Sequence, residues 1–360
     1  MAISSEFRLA VECCRQCFRG QAPKTKRLPP PDIDWAQFLE LVRFHRIEGL
    51  AWDHLKKFDV PDAVRTALSD SATAITAKNL RATAECRTML KRFDEANLQL
   101  LFLKGLALGV LAYRNPSLKA AVDIDLLIEP KDLAVAAKIL RECGYGLAAP
   151  RSLLSDAQLQ SWHRVSKEST WTKPDSGLQI DLHTRVADNL RLLPGVGMDS
   201  TRQLIEIAPG VLLPTLGPDE LFAYLAVHGA SSAWFRLKWI SDLAAILGSK
   251  DPAEIARDYR RSQEFGAGRA AGQALLLADE LFETLNENAD LREELRRDAP
   301  TVRLFRTALG MVARAPVEPT ARTFGTLPIH WTQLLLLPGL SFKLSELSRQ
   351  AKTSLKSSLG

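Results

Sequence analysis

Residues 122–128 read Val-Asp-Ile-Asp-Leu-Leu-Ile, two carboxylates set two apart inside an otherwise apolar run. Such a run is a strand, and its period of two sends Asp123 and Asp125 to one face while Ile124 and Leu126 enter the opposite layer. Burying two like charges among that much apolar surface is costly without a counter-ion. The pair is spaced to share a divalent cation, and Mg²⁺ is the natural choice, because it prefers hard oxygens and leaves positions open for water and phosphate. The competing reading is a surface strand end with solvated acids.

The neighbouring pattern predicts a small α/β unit around this strand. Leu100, Leu101, Phe102 and Leu103 form a short apolar run that reads as a buried strand ending in Lys104-Gly105, and a helix follows over 106–113. A second helix is expected over 131–143, stopped by Gly144, and 168–172 pairs naturally with 178–183 across Asp175-Ser176-Gly177. In that hairpin Asp181 lies between Ile180 and Leu182, so a strand beside the first would bring it to the Asp pair. Three carboxylates converging on two cations suit in-line phosphoryl or nucleotidyl transfer: one ion activates the attacking hydroxyl, and the other neutralises the leaving pyrophosphate. Asp181 is assigned to the ion on the nucleophile side. At the strand-to-helix turn Gly105 permits close backbone approach to a phosphate and Lys104 adds charge; a Lys-Gly pair alone reads first as a turn glycine with a solvated lysine, and its position upstream of the Asp pair is what raises it.

Helical spacing dominates both flanks. Trp35, Phe38, Leu39, Val42, Ile47, Leu50 and Leu55 recur at that spacing over 34–55, and a longer amphipathic run covers 63–97. Between the first helix and these, 21–31 holds three consecutive prolines and reads as an exposed linker. Beyond Pro218, helices are expected over 219–228, 234–247, 252–263, 266–285 and 301–313, then one packed helix around Trp331 and a basic tail. The chain thus divides into an N-terminal helical region (1–90), an α/β core (91–190) and a C-terminal helical region (191–360). With 46% hydrophobic and 25% charged residues, the composition argues against both disorder and a membrane protein. A net charge of +5 fits phosphate-bearing ligands but falls short of a dedicated nucleic-acid binder. The N-terminus lacks a signal-peptide layout, and the apolar stretch 334–340 is broken by Pro338 and too short to span a bilayer. A cytoplasmic protein without a membrane partner is expected. Five cysteines are read as free thiols, the lone Cys14-x-x-Cys17 pair as one face of a helix.

The chain resembles the uncharacterised nucleotidyltransferases of the DNA polymerase beta-like nucleotidyltransferase superfamily. The resemblance rests on Leu103-Lys104-Gly105, Tyr113, Asp123-Ile124-Asp125-Leu126-Leu127 and Ile180-Asp181-Leu182-His183, then on His228-Gly229-Ala230, Trp234, Arg236-Leu237-Lys238-Trp239 and Asp242. Phe44-His45-Arg46-Ile47-Glu48-Gly49-Leu50 looks like that family's N-terminal segment. It implies a polymerase beta-like core, a small mixed sheet with helices, here embedded in mainly α-helical regions. It also implies an NTP donor, most simply ATP, two Mg²⁺ ions, and Asp123, Asp125 and Asp181 as their ligands. Nucleotide phosphates would meet Lys104, Gly105, Lys119, Arg236 and Lys238. The sequence departs from the superfamily where Leu106 follows Gly105, and where Lys119-Ala120-Ala121 replaces an arginine and larger residues before the Asp pair.

Each accessory residue also has an ordinary reading. His183 shares a face with Asp181 and either orients a carboxylate or is simply structural. His228, Arg236, Lys238 and Asp242 lie on helices where a solvated face or an internal ion pair is the default; Trp234 and Trp239 read as core, His163 and Lys167 as a polar loop, and His45 as a helix-packing residue. The acceptor is open, with a small molecule, peptide or protein favoured over long nucleic acid. A catalytically silent nucleotide-binding scaffold, or a partner protein in peptide or polysaccharide biosynthesis, is the alternative. A kinase route finds no Walker-type or protein-kinase motif.

Overall fold

The computed structural model describes residues 3–19, 29–150, 155–314 and 316–357, so the proline-rich linker expected at 21–31 lies, as far as residue 28, outside the described residues. Helix α1 (Ser5–Arg15) is capped by Ser4, whose side chain accepts from the Phe7 amide. The run 34–55 is two helices, α2 (Trp35–His45) and α3 (Glu48–Leu55). Arg46 takes a left-handed conformation (φ 57°), which ends α2 and lets the Ile47 amide return to the Val42 carbonyl. Helix α4 (Asp62–Glu95) is one unbroken element of 34 residues.

The sheet follows. Strands β1 (Leu101–Phe102), β2 (Ile124–Leu127), β3 (Gly146–Ala149), β4 (Glu168–Lys173) and β5 (Leu178–His183) run in the spatial order β1-β2-β5-β4-β3. Only β2 and β5 are parallel; every other pairing is antiparallel. Helix α5 (Leu106–Ala112) follows β1, α6 (Leu133–Glu142) follows β2, and α7 (Asp156–His163) precedes β4. Each strand and helix expected between 100 and 183 is present within a few residues. A separate hairpin, β6 (Arg202–Ala208) and β7 (Val211–Leu216), packs on β1 and α5. No element was expected there, because Pro214 inside β7 and one largely solvated face weaken the strand pattern.

The remainder is helical: α8 (Pro218–Ser231), α9 (Leu237–Leu247), α10 (Pro252–Glu264), α11 (Gly268–Phe282), α12 (Ala289–Arg297), α13 (Ala299–Val312), α14 (Leu327–Gln333) and α15 (Leu340–Ser357). The sequence pattern missed α12 and took α15 for a frayed tail. About 58% of the chain is helical, around a small mixed sheet. Two apolar cores organise it. One joins α1–α3 to α8–α13, so chain ends far apart in sequence bury their faces against each other; the other lies between the sheet, α4 and α6. Cys13, Cys14 and Cys17 belong to the first core, and burial pushes the Cys14 thiol up to about 12. Among the described residues, no helix is long and apolar enough to cross a membrane.

Candidate active site

The parallel pairing of β2 with β5 builds the site, because its register places Asp125 directly opposite Asp181. Residues opposite one another on adjacent strands share a face, so two carboxylates from distant segments become neighbours. Asp123, at the mouth of β2, completes a cluster in which one ligand atom from each aspartate lies within 4.8 Å of the others. Among the described residues it is the only such group of histidine, cysteine or acidic side chains.

The three acids are held differently. Asp125 is buried; its Oδ1 receives Lys104 Nζ at 3.0 Å and His183 Nε2 at 3.1 Å. Burial alone would raise its pKa, but Lys104 and His183 outweigh it and hold this carboxyl well below the usual carboxylate range. Its Oδ2 is buried without a hydrogen-bond partner. A buried ionised oxygen left in that way is costly unless something positive meets it. Asp181 Oδ1 accepts from Thr170 Oγ1 (2.9 Å) and Gln179 Nε2 (3.1 Å). Burial, followed by the charges of Asp125, Glu168 and Asp123, pushes Asp181 up to about 6. Like charges that resist ionising together are what a shared cation would relieve.

A chain of polar contacts continues from Asp125. His183 is fully buried, and with an ionised Asp125 its Nε2 carries the proton that Asp125 Oδ1 accepts. The other ring nitrogen lies 3.3 Å from Glu168 Oε2, and Glu168 in turn pairs with Lys167. His183 therefore meets the metal candidates directly, whereas Lys167, expected in a polar loop, belongs to this network. His163 is likewise no loop residue: it is buried at the end of α7, with Thr184 and Ser169 hydroxyls each 3.0 Å from a ring nitrogen.

Beside Asp123 opens a cleft enclosing about 470 Å³, part of it solvent, into which Lys104, Lys119 and Lys238 all face. Gly105 forms its floor in a positive-φ conformation (φ 70°) at the start of α5, a backbone that favours glycine. Lys119 is already engaged, with Nζ 2.7 Å from Asp242 Oδ2, while Asp242 Oδ1 accepts from the Tyr113 hydroxyl at 2.7 Å. Lys238 stands over the Trp239 ring, and burial together with Lys119 and Arg46 lowers its ammonium to about 7. Trp239, expected as core, is half-buried and lines the cleft, as does His228, which is stacked edge-on against it and whose Nε2 is buried without a hydrogen-bond partner. Arg236 is placed elsewhere: its guanidinium is bound by the Phe44 carbonyl and Glu318 and does not line the cleft. An arginine two residues from Lys238 along the chain was grouped with it, but the start of α9 turns the two side chains apart.

Asn79 was legible in no pattern. It sits on α4, donates to the carbonyls of Ser117 (3.2 Å) and Lys119 (2.9 Å), and accepts from the Ala121 amide (2.9 Å), clamping the loop that delivers Asp123.

A family model described as an uncharacterised nucleotidyltransferase matches residues 31–283. The chain belongs to that family. None of the curated proteins compared with the chain matches it. The nucleotidyltransferase match contains the three aspartates, the cleft lysines, Asn79 and both strands that align the acids. It stops at the end of α11, leaving α12–α15 outside.

Proposed function

We propose that the chain transfers a nucleoside monophosphate from an NTP, with ATP as the favoured donor, to an acceptor hydroxyl or phosphate. The observation that carries this reading is Asp125 Oδ2, a buried and unpartnered carboxylate oxygen where three acids meet. Three carboxylates with no softer donor suit Mg²⁺, and one aspartate on a strand, one at its mouth and a third on its parallel neighbour support a polymerase beta-like core. Asp123 and Asp125 would hold two ions and Asp181 would join the one nearer the acceptor. Bound there, Mg²⁺ supplies the charge that activates an attacking hydroxyl and neutralises departing pyrophosphate.

The chain's own residues do the rest. Lys104, Lys119 and Lys238 offer positive charge along the cleft, and the Gly105 turn lets the backbone approach the triphosphate. His183 and Lys104 both grip Asp125 Oδ1, which fixes the direction in which Oδ2 points. The acceptor oxygen attacks the α-phosphorus as the bond to the β-phosphate oxygen breaks, so pyrophosphate leaves and no covalent enzyme intermediate is needed. Free cysteines, four of the five buried, suit a reducing cytoplasm.

The second reading is a nucleotide-binding scaffold without turnover. Two of the three cleft lysines are already paired with aspartates, Leu106 takes the place of a serine or glycine after Gly105, and Lys119-Ala120 departs from the superfamily pattern before the Asp pair. Transfer of label from α-³²P-ATP and, separately, γ-³²P-ATP to candidate acceptors distinguishes the readings. Mg²⁺-dependent α label, absent from Asp123→Ala/Asp125→Ala, is the expected result. Label from the γ position alone would make the protein a kinase, and ATP binding without transfer of either label would leave the scaffold.

A further inference from the structure

Seven of the twelve large hydrophobic side chains that are exposed among the described residues fall between 317 and 347. Three of them, Leu340, Leu344 and Leu347, recur at i, i+4 and i+7 on α15, with exposures of 71%, 57% and 48%. The same helix buries Phe342 and Glu346 on its opposite side, so the leucines form the crest of a convex ridge. Single exposed leucines are ordinary, whereas three on one helix face, in a stretch of chain that also exposes Phe324, Leu327 and Trp331, make a contact surface.

The charge around this ridge is mostly basic. From residue 316 to the end, the sequence has two acids, Glu318 and Glu346, against five bases. Glu318 is paired with Arg236, and Glu346 is buried against Arg349 and Asn189. Around the helix from the stripe by about 100°, Ser345 and Lys352 border a cleft enclosing about 630 Å³, part of it solvent. Arg164, Arg185 and the 71%-exposed Leu190 form its far side together with one acid, Asp188, whose Oδ1 accepts from the Lys167 amide, so the lining keeps an excess of bases. Arg164, Lys343 and Lys352 have no acidic partner among the described residues, and Arg185 spends its donors on the His163 and Ala187 carbonyls. A basic cleft flanking an apolar crest is the pattern of a helix lying in the headgroup region of an anionic bilayer.

We infer that α15 docks this protein peripherally on an anionic lipid surface, with Leu340, Leu344 and Leu347 entering the acyl boundary and the Arg164–Lys352 cleft receiving lipid phosphates. This departs from the sequence expectation of no membrane partner and does not depend on nucleotidyl transfer. A second copy fits poorly, since a two-fold contact through the ridge would bring Lys343 and Lys352 toward their own duplicates. A protein partner would need a knob-and-pocket surface for its anchors, whereas a bilayer accepts a convex apolar crest as it stands. The α15 side of this surface lies outside the family match, whereas Arg164, Arg185 and Leu190 lie within it.

The test is co-sedimentation of the full chain with vesicles of phosphatidylcholine alone or mixed equally with phosphatidylglycerol. The chain is expected to pellet with the anionic vesicles only, and Leu344→Asp/Leu347→Asp and Arg164→Glu/Lys352→Glu should each lower that partition about tenfold or more. Leu80→Asp, an exposed leucine on α4, should leave it unchanged. All these positions are exposed, and an unaltered melting temperature shows that the variants fold. The inference is overturned if anionic vesicles do not pellet the chain, or if neither double variant weakens partition. It is equally overturned if the cleft binds inorganic phosphate while the chain stays in the supernatant of anionic vesicles, which would make the cleft a free-phosphate site. A dimer dissociated by Leu344→Asp/Leu347→Asp, with no vesicle binding, would assign the ridge to a second copy instead.

Discussion

At the scale of single residues, the site turns on how Asp125 is held. Lys104 and His183 both occupy Oδ1, leaving Oδ2 as the oxygen on offer. His183 is then a positioning residue, and His183→Ala should lower Mn²⁺ affinity, followed by the paramagnetic signal of the free ion, about 10- to 100-fold. Asp125→Asn should abolish that binding, because it removes the charge and leaves Lys104 buried against a neutral amide. Equal affinity in His183→Ala and the parent would remove His183 from the site. Lys238 gives a second, independent readout. Its ammonium is lowered to about 7 by burial and by Lys119 and Arg46, so a bound triphosphate, which favours the charged form, raises it. Binding therefore takes up a proton: near pH 7.5, up to about three-quarters of a proton per ATP bound, and affinity falls as pH rises through and above neutrality. Calorimetry in buffers of different ionisation enthalpy measures this, and Lys238→Met should reduce the uptake toward zero.

At the scale of elements, two glycines from the sequence resemblance explain themselves by close approach. A Cβ on Gly49 would lie 2.2 Å from the Leu118 carbonyl oxygen, so α3 seats directly on the 3-10 turn Pro116–Leu118 that leads to Asp123. A Cβ on Gly229 would meet the Trp234 ring at 2.5 Å, which shows why His228-Gly229-Ala230 and Trp234 go together. Overpacking of this kind costs about 1–3 kcal/mol, and both Gly49→Ala and Gly229→Ala should lower the urea midpoint accordingly. Gly49→Ala should also weaken Mn²⁺ binding, since the backbone it pushes carries the loop to Asp123; a loss of stability with unchanged metal affinity would uncouple α3 from the site. The Asp pair, the β4–β5 hairpin and the lysine turn were legible because acids in apolar strands and glycines in turns are local signals. The register that sets Asp125 against Asp181 was legible only as a consequence of strand adjacency. Asn79, Thr170 and the Asp242 partnership with Lys119 were not, because each is a contact between separate elements made by ordinary polar residues. Hairpin β6–β7 was hidden by its own Pro214.

For the whole molecule, the decisive arrangement is that the N-terminal helices and the helices after the sheet share one core, with His45 at their junction. The His45 ring lies edge-on to Phe7 of α1 and Phe44 of α2, and its Nδ1 accepts the Leu237 amide at the start of α9. That hydrogen bond requires an unprotonated Nδ1. Burial, with Arg236 nearby, lowers this histidine to about 3, and burial, with Arg185 and His183 nearby, lowers His163 to about 4, from an ordinary 6.5. Depressed histidines bind protons more readily in the unfolded chain, so their stabilisation is complete above the unfolded pKa and is lost as pH falls from 6.5 toward the folded values. Between pH 7 and pH 5 each should cost about 2 kcal/mol of folding stability. His45→Asn, whose side-chain oxygen can still accept the Leu237 amide but does not titrate, should therefore lose less stability than the parent over the same interval. Urea unfolding at the two pH values decides it: identical pH dependence in the two proteins would mean that the junction between the helical regions does not read His45, and a smaller loss in the variant would locate part of the acid sensitivity of the shared core at that one ring.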